Sequence, residues 1–159
     1  METFSIHPIG YVRERDGSKV LEVLPEYRPA LDKLDEWGHV VSVWWFSGSD
    51  NPDTRSILRQ TRPHQSSPGE AGTFATRSPR RPNPIGLTVA KIDRVDVEQG
   101  LVVIDRHDAL PDTPLLDIKP YSPGSDRVEA PILPEWAAHW PKSREESAVF
   151  DWAKEDGKA

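Results

Sequence analysis

Three prolines within six residues, interleaved with arginines, constrain this chain more than any other feature: Arg77-Ser78-Pro79-Arg80-Arg81-Pro82-Asn83-Pro84-Ile85-Gly86-Leu87. Each proline lacks a backbone N–H and clashes with a preceding helical turn, so no helix interior passes through here. The residue before each proline is pushed toward extended geometry. The segment reads as a rigid, extended loop holding three cations, Arg77, Arg80 and Arg81, and one amide, Asn83. Rigidity lowers the entropic cost of binding, and guanidinium forks suit carboxylate or phosphate. The following run, LTVAKI at 87–92, alternates and reads as a strand.

Alternation and turn residues recur along the chain. Strands are expected at 4–13, 20–24, 39–46, 73–77, 87–95, 101–105 and 115–118. Leu31, Leu34 and Trp37 fall at helical spacing, which predicts a short helix over 27–37 stopped by Gly38. A terminal helix is expected at 147–154, with Pro134 and Ser147 as helix starts. Sixteen prolines and ten glycines favour strands and turns over long helices. Strands every ten or so residues predict a mainly β chain, a small antiparallel β-barrel with one or two short helices. No G-x-G-x-x-G loop is present, so a doubly wound nucleotide-binding sheet has no support. The barrel is expected over 1–130, with 131–159 as a C-terminal tail packing on it or on a dimer partner through Trp136, Trp140, Phe150 and Trp152.

At 159 residues this is one domain, large enough for a sizeable core. No apolar run approaches the ~20 residues of a membrane-spanning helix, and the first residues lack a secretory pattern. There is no cysteine, hence no disulfide or thiolate metal site. The histidines show no ligand spacing, so no metal is expected. A cytoplasmic protein follows. The net charge of −6 opposes nucleic-acid binding, yet between Arg55 and Arg94 seven Arg and one Lys face only Glu70 and Asp93. A local basic patch can bind RNA on an acidic protein, and a small-molecule substrate is equally allowed.

A second segment carries chemistry: Pro111-Asp112-Thr113-Pro114-Leu115-Leu116-Asp117-Ile118-Lys119-Pro120-Tyr121, with Asp126 beyond it. On a strand, Asp117, Lys119 and Tyr121 share one face. That face reads either as pocket-lining or as a structural Asp117–Lys119 ion pair. His39 reads as structural. Trp44 and Trp45 are adjacent and face opposite ways, one into the core and the other free to stack on a flat ligand or an interface.

The proline-arginine loop followed at a set distance by D-I-K-P-Y resembles the signature of the TrmO, or TsaA-like, family. Weaker matches at 4–10 and 34–46 extend the likeness to about 4–126. The resemblance implies a small barrel that binds S-adenosylmethionine, pairs as a homodimer whose subunits complete each other's pockets, and transfers methyl to N6 of threonylcarbamoyladenosine at tRNA position 37 or to a related acceptor. It implies cofactor binding by Phe46, Ser47, Arg77, Asn83, Pro84, Ile85, Gly86, Leu87, Asp112, Thr113, Pro114 and Lys119. Arg80 and Arg81 are expected to meet the acceptor, and Asp117 and Tyr121 are the candidate catalytic groups. Three departures stand out: the loop after the first strand is short and lacks proline, Ser47 replaces a histidine, and the glycine of the family's D-G-T-P is lost. Alternatives are a non-catalytic cofactor- or RNA-binding module and a methyltransferase acting on a small molecule.

Overall fold

Six strands close into an antiparallel barrel in the computed structural model, which describes residues 2–62, 64–67 and 69–157. The strands are β1 (Gly10–Arg15), β2 (Ser18–Val23), β3 (His39–Trp45), β4 (Arg59–Thr61), β5 (Glu70–Gly72), β6 (Ile85–Asp96), β7 (Leu101–Ile104) and β8 (Pro114–Pro120). The barrel runs β1-β2-β7-β6-β3-β8, and β4 and β5 form a separate hairpin. The mainly β, small-barrel expectation is met. Its inner face carries Val12, Leu21, Val23, Val40, Trp44, Ala90, Val102, Ile104 and Leu115, all buried. On β3 the inward positions are Val40, Ser42 and Trp44, the period-2 pattern of a pleated strand.

The barrel closes where β1 meets β8 over two register pairs, Gly10 with Leu115 and Tyr11 with Pro114. A Cβ at Gly10 would stand 2.1 Å from the Glu22 carbonyl oxygen, so only glycine fits this close approach of β1 to β2.

Several elements differ from the sequence expectation. The first strand begins at Gly10, not at residue 4; Phe4 and Ile6 alternate but are exposed, and Pro8 has no N–H to give a partner strand. The 27–37 helix is instead two 3-10 turns, Pro25–Leu31 and Leu34–Glu36, which Lys33 separates at φ 67°. Leu31 and Leu34 still cap the barrel end, as their spacing demands. The strand expected at 73–77 is a single 3-10 turn, Thr73–Ala75.

Among the described residues the α-helices are short: α1 (Pro52–Arg55), α2 (Pro123–Asp126), α3 (Arg144–Val149) and α4 (Trp152–Glu155). The last two stand where one helix over 147–154 was expected. Ser143 caps α3 by accepting from the Glu146 N–H at 3.1 Å, Asp151 caps α4, and Phe150 between them is extended. Trp140 and Trp152 meet edge to face at 5.4 Å, and Phe150 and Trp152 at 4.8 Å. Buried Glu155 accepts from Trp140 Nε1 at 3.1 Å and from the Ser66 hydroxyl, which ties α4 to the segment between β4 and β5. The Ser66 hydrogen bond is the main cause that pulls the Glu155 carboxyl down to about 2. Arg144 reaches back to the Val89 carbonyl at 3.3 Å and to Asp105.

Candidate functional site

The proline-arginine loop forms one wall of a cavity of about 650 Å³ at the start of β6, within the usual size of small-molecule sites. Arg77, Arg81, Asn83, Ile85, Gly86 and Leu87 line it, together with Phe46 at the end of β3. Trp44, Phe74, Thr76, Pro79, Pro82 and Asp108 also line it, although none of them was among the binding residues expected from the sequence. Trp44 and Phe46 lie with ring centroids 4.2 Å apart. Phe74 is 80% exposed.

The loop is held by specific bonds. Gln60 of β4 donates to the Arg80 carbonyl at 2.8 Å. The Arg81 guanidinium donates to the Thr76 carbonyl at 3.3 Å, and that of Arg77 to the Leu87 carbonyl at 3.0 Å. Both cations are thereby aimed while keeping further N–H groups for a ligand. From outside, Arg55 bridges Asp50 at 2.9 Å and the Asn83 side-chain oxygen at 3.3 Å. Trp45 donates to Asp50 at 3.1 Å with Arg55 over its ring at 5.9 Å, so this outward indole serves the bracket around the loop. Arg80 is exposed, and its guanidinium has no partner among the described residues.

Behind the cavity the buried polar side chains of Ser42, Thr88 and His107 gather, and Thr88 links the interior to exposed Asp108 at the cavity wall. Trp44 Nε1 donates to Thr88 Oγ1 at 3.1 Å, and Thr88 Oγ1 donates to Asp108 Oδ2 at 3.2 Å. The Ala109 N–H donates to His107 Nδ1 at 3.0 Å, which leaves the ring proton on Nε2, 2.9 Å from Ser42 Oγ. Burial pushes the His107 imidazole down to about 4, against a weaker opposing pull from Asp108, so the ring is neutral at pH 7.

Other expected residues lie elsewhere. Pro84 is fully buried behind the loop, and its carbonyl accepts the Phe46 N–H at 2.8 Å, so that group is not open to read a ligand edge. Ser47 is exposed, opening a 3-10 turn. Asp112, Thr113 and Pro114 sit at the β1–β8 seam. Asp112 adopts φ 67° and pairs with Arg13, while the Thr113 carbonyl accepts the Val12 N–H at 2.9 Å. Asp112 stands where the family pattern has glycine, and its short side chain tolerates the left-handed conformation it adopts. Asp117 and Lys119 form an ion pair at 2.6 Å on the barrel surface, where the carboxylate holds the Lys119 ammonium above its ordinary range. Tyr121 stands edge-on to His39 at 6.2 Å. Within one chain, then, the second segment does not converge on the loop cavity. Among the described residues no group of His, Asp and Glu gathers as a metal site, and no helix is long and apolar enough to cross a membrane.

The model of the tRNA-methyltransferase O N-terminal domain matches residues 6–127. The chain belongs to the TrmO N-terminal-domain family. A probable S-adenosyl-L-methionine-binding protein of Methanocaldococcus jannaschii is 35% identical over 130 residues, covering 82% of this chain and 99% of that one. The mouse tRNA (adenine(37)-N6)-methyltransferase is 38% identical over 97 residues, 61% of this chain and 21% of that protein. A solved TrmO structure superposes with a TM-score of 0.65 at 29% identity, and TrmO from Pseudomonas aeruginosa with 0.64 at 30%. Each covers 83% of this chain, which spans 64% and 61% of the two TrmO chains respectively.

Proposed function

We propose that the chain is an S-adenosylmethionine-dependent methyltransferase acting on tRNA, with N6 of threonylcarbamoyladenosine at position 37 or a related adenosine as acceptor, in the cytoplasm. One observation carries the reading: a single cavity combines two cations, one carboxylate and three aromatic rings. S-adenosylmethionine has a carboxylate, cationic centres and a flat adenine, so the lining fits it group by group. Arg77 and Arg81 match its carboxylate, the exposed ring of Phe74 its adenine, and Asp108 a cationic centre. When bound, it supplies a methyl group activated by a positively charged sulfur.

The protein's own contribution is placement and exclusion of water, the two terms that dominate a direct displacement. Where the attacked nitrogen sheds its proton only after methyl transfer has begun, a weak base or water suffices to take it, with Asp117 and Tyr121 the candidate side chains. The exposed Arg80 is suited to a phosphate of the acceptor. Asp117, Lys119 and Tyr121 lie outside the cavity of their own chain, and in the homodimer that we propose a second copy contributes them.

A second reading, a cofactor-binding module without turnover, draws support from the Asp117–Lys119 pair, which engages its two groups with each other at 2.6 Å. Calorimetric titration with S-adenosylmethionine, followed by a labelled-methyl assay on bulk tRNA, separates the two. Methyl incorporation supports the enzyme, binding without incorporation supports the module, and no binding removes both.

A further inference from the structure

We propose that Asp108 recognises the sulfonium of the cofactor and makes the site prefer the charged methyl donor over its neutral thioether product. This rests on the cavity holding S-adenosylmethionine. Asp108 is the one acidic residue among the described residues lining a cavity that also holds Arg77 and Arg81. The site is therefore dipolar, and the two arginines account for the negative end of the ligand. Asp108 is exposed at the cavity wall and no cation pairs with it among the described residues, so its carboxylate is open to a ligand cation.

Its placement is fixed from both sides. The indole of Trp44 donates to Thr88 Oγ1, which turns the hydroxyl proton of Thr88 onto Asp108 Oδ2. Across the backbone, the His107 ring accepts the Ala109 N–H and clamps the turn that carries Asp108. Oδ2 accepts one hydrogen bond from Thr88, and the carboxylate keeps further acceptor capacity and its charge for the ligand. Phe46, whose ring centroid lies 4.2 Å from that of buried Trp44, lines the same cavity as Asp108 and offers an aromatic surface suited to a weakly hydrated cation. The cavity thus offers a sulfonium both of its natural partners, a carboxylate and aromatic faces, while a neutral sulfur gains little from the first.

The test is calorimetric titration of the full chain and of Asp108→Asn, Asp108→Ser and Asp108→Glu with S-adenosylmethionine and S-adenosylhomocysteine, with far-UV circular dichroism to verify each barrel. The wild type should bind the methionine form about tenfold tighter, as expected for one partly screened charge contact. Asn and Ser at this position should bring the ratio close to one while changing affinity for the product little, and Glu should retain the preference. Two neutral variants keep the test open should one fail to fold. An unchanged ratio in the neutral variants, equal loss of both ligands, or no preference in the wild type overturns the inference. Equal loss would place Asp108 on the ribose or the ammonium, which both ligands share. Absence of binding of either ligand to the wild type removes the methyltransferase reading itself, and this inference with it.

Discussion

The indole of Trp44 lies flat against Gly86, so close that a Cβ built on the glycine would stand 2.4 Å from the ring. The two residues pair across β3 and β6. Trp44 cannot yield cheaply, because it is 5% exposed and its Nε1 is bound to Thr88 at 3.1 Å. Gly86→Ala should cost about 1–3 kcal/mol of stability, the usual range for overpacking a core. It should also weaken S-adenosylmethionine binding, since the displaced ring lines the cavity. Urea unfolding and calorimetry on the same variant check both parts; a neutral variant with normal affinity would show that the barrel accommodates the methyl.

Arg77→Ala should weaken cofactor binding about ten- to a hundredfold, the range for losing a charged hydrogen-bond partner. Arg94→Ala should leave it unchanged, because Arg94 lies farther along β6 and pairs with Asp96 at 3.7 Å. Equal affinities of the two variants would remove Arg77 from the site.

His107 should make the protein acid-sensitive over a defined window. The unfolded chain takes up a proton near pH 6.5, whereas the folded ring does so only near 4. The contribution is therefore complete above about pH 6.5 and lost progressively as pH falls toward about 4, amounting to about 3 kcal/mol. Urea unfolding of the wild type and of His107→Gln at about pH 7.5 and about pH 4.5 should show the stability gap between them narrowing at the lower value. A constant gap would mean that the ring does not titrate as its burial requires.

Arg80→Ala should flatten the slope of log tRNA affinity against log salt by about 0.7–0.9, the share of one lost phosphate contact. Arg81→Ala should act more through the loop, since its guanidinium holds the Thr76 carbonyl at 3.3 Å. Filter binding across a salt series decides it. An unchanged slope in the Arg80 variant places the RNA elsewhere, and no binding by the wild type at low salt favours a small-molecule acceptor.

The barrel was legible because its signals are local. Alternation in β3 and β6 and the turn at Gly100 survive into the structure, and three prolines leave the loop no other form. Boundaries failed where alternation had no neighbour to pair with, as at Phe4 and Ile6. The helical spacing of Leu31 and Leu34 identified what they bury without fixing the backbone between them. Asp108 was invisible for a different reason. Its role arises from Thr88 and Trp44, which barrel closure brings beside it, and nothing near Asp108 in sequence marks it. The second segment looked like part of the same site because D-I-K-P-Y carries an acid, a base and a phenol on one face. In the fold that face turns onto the outside of the barrel.

The seam between Gly10 and Leu115 has a consequence for how the molecule is made. Its two sides are about 100 residues apart, so at about 5–20 residues per second the first strand leaves the ribosome about 5–20 s before its last neighbour exists. Through that interval the β1–β2 hairpin presents an unpaired edge of a kind that recruits other chains. The edge strand carries Arg13, Glu14 and Arg15 in succession. They lie past the two register pairs that β8 covers, and charged side chains on an open edge disfavour pairing with other chains both during synthesis and in the closed barrel.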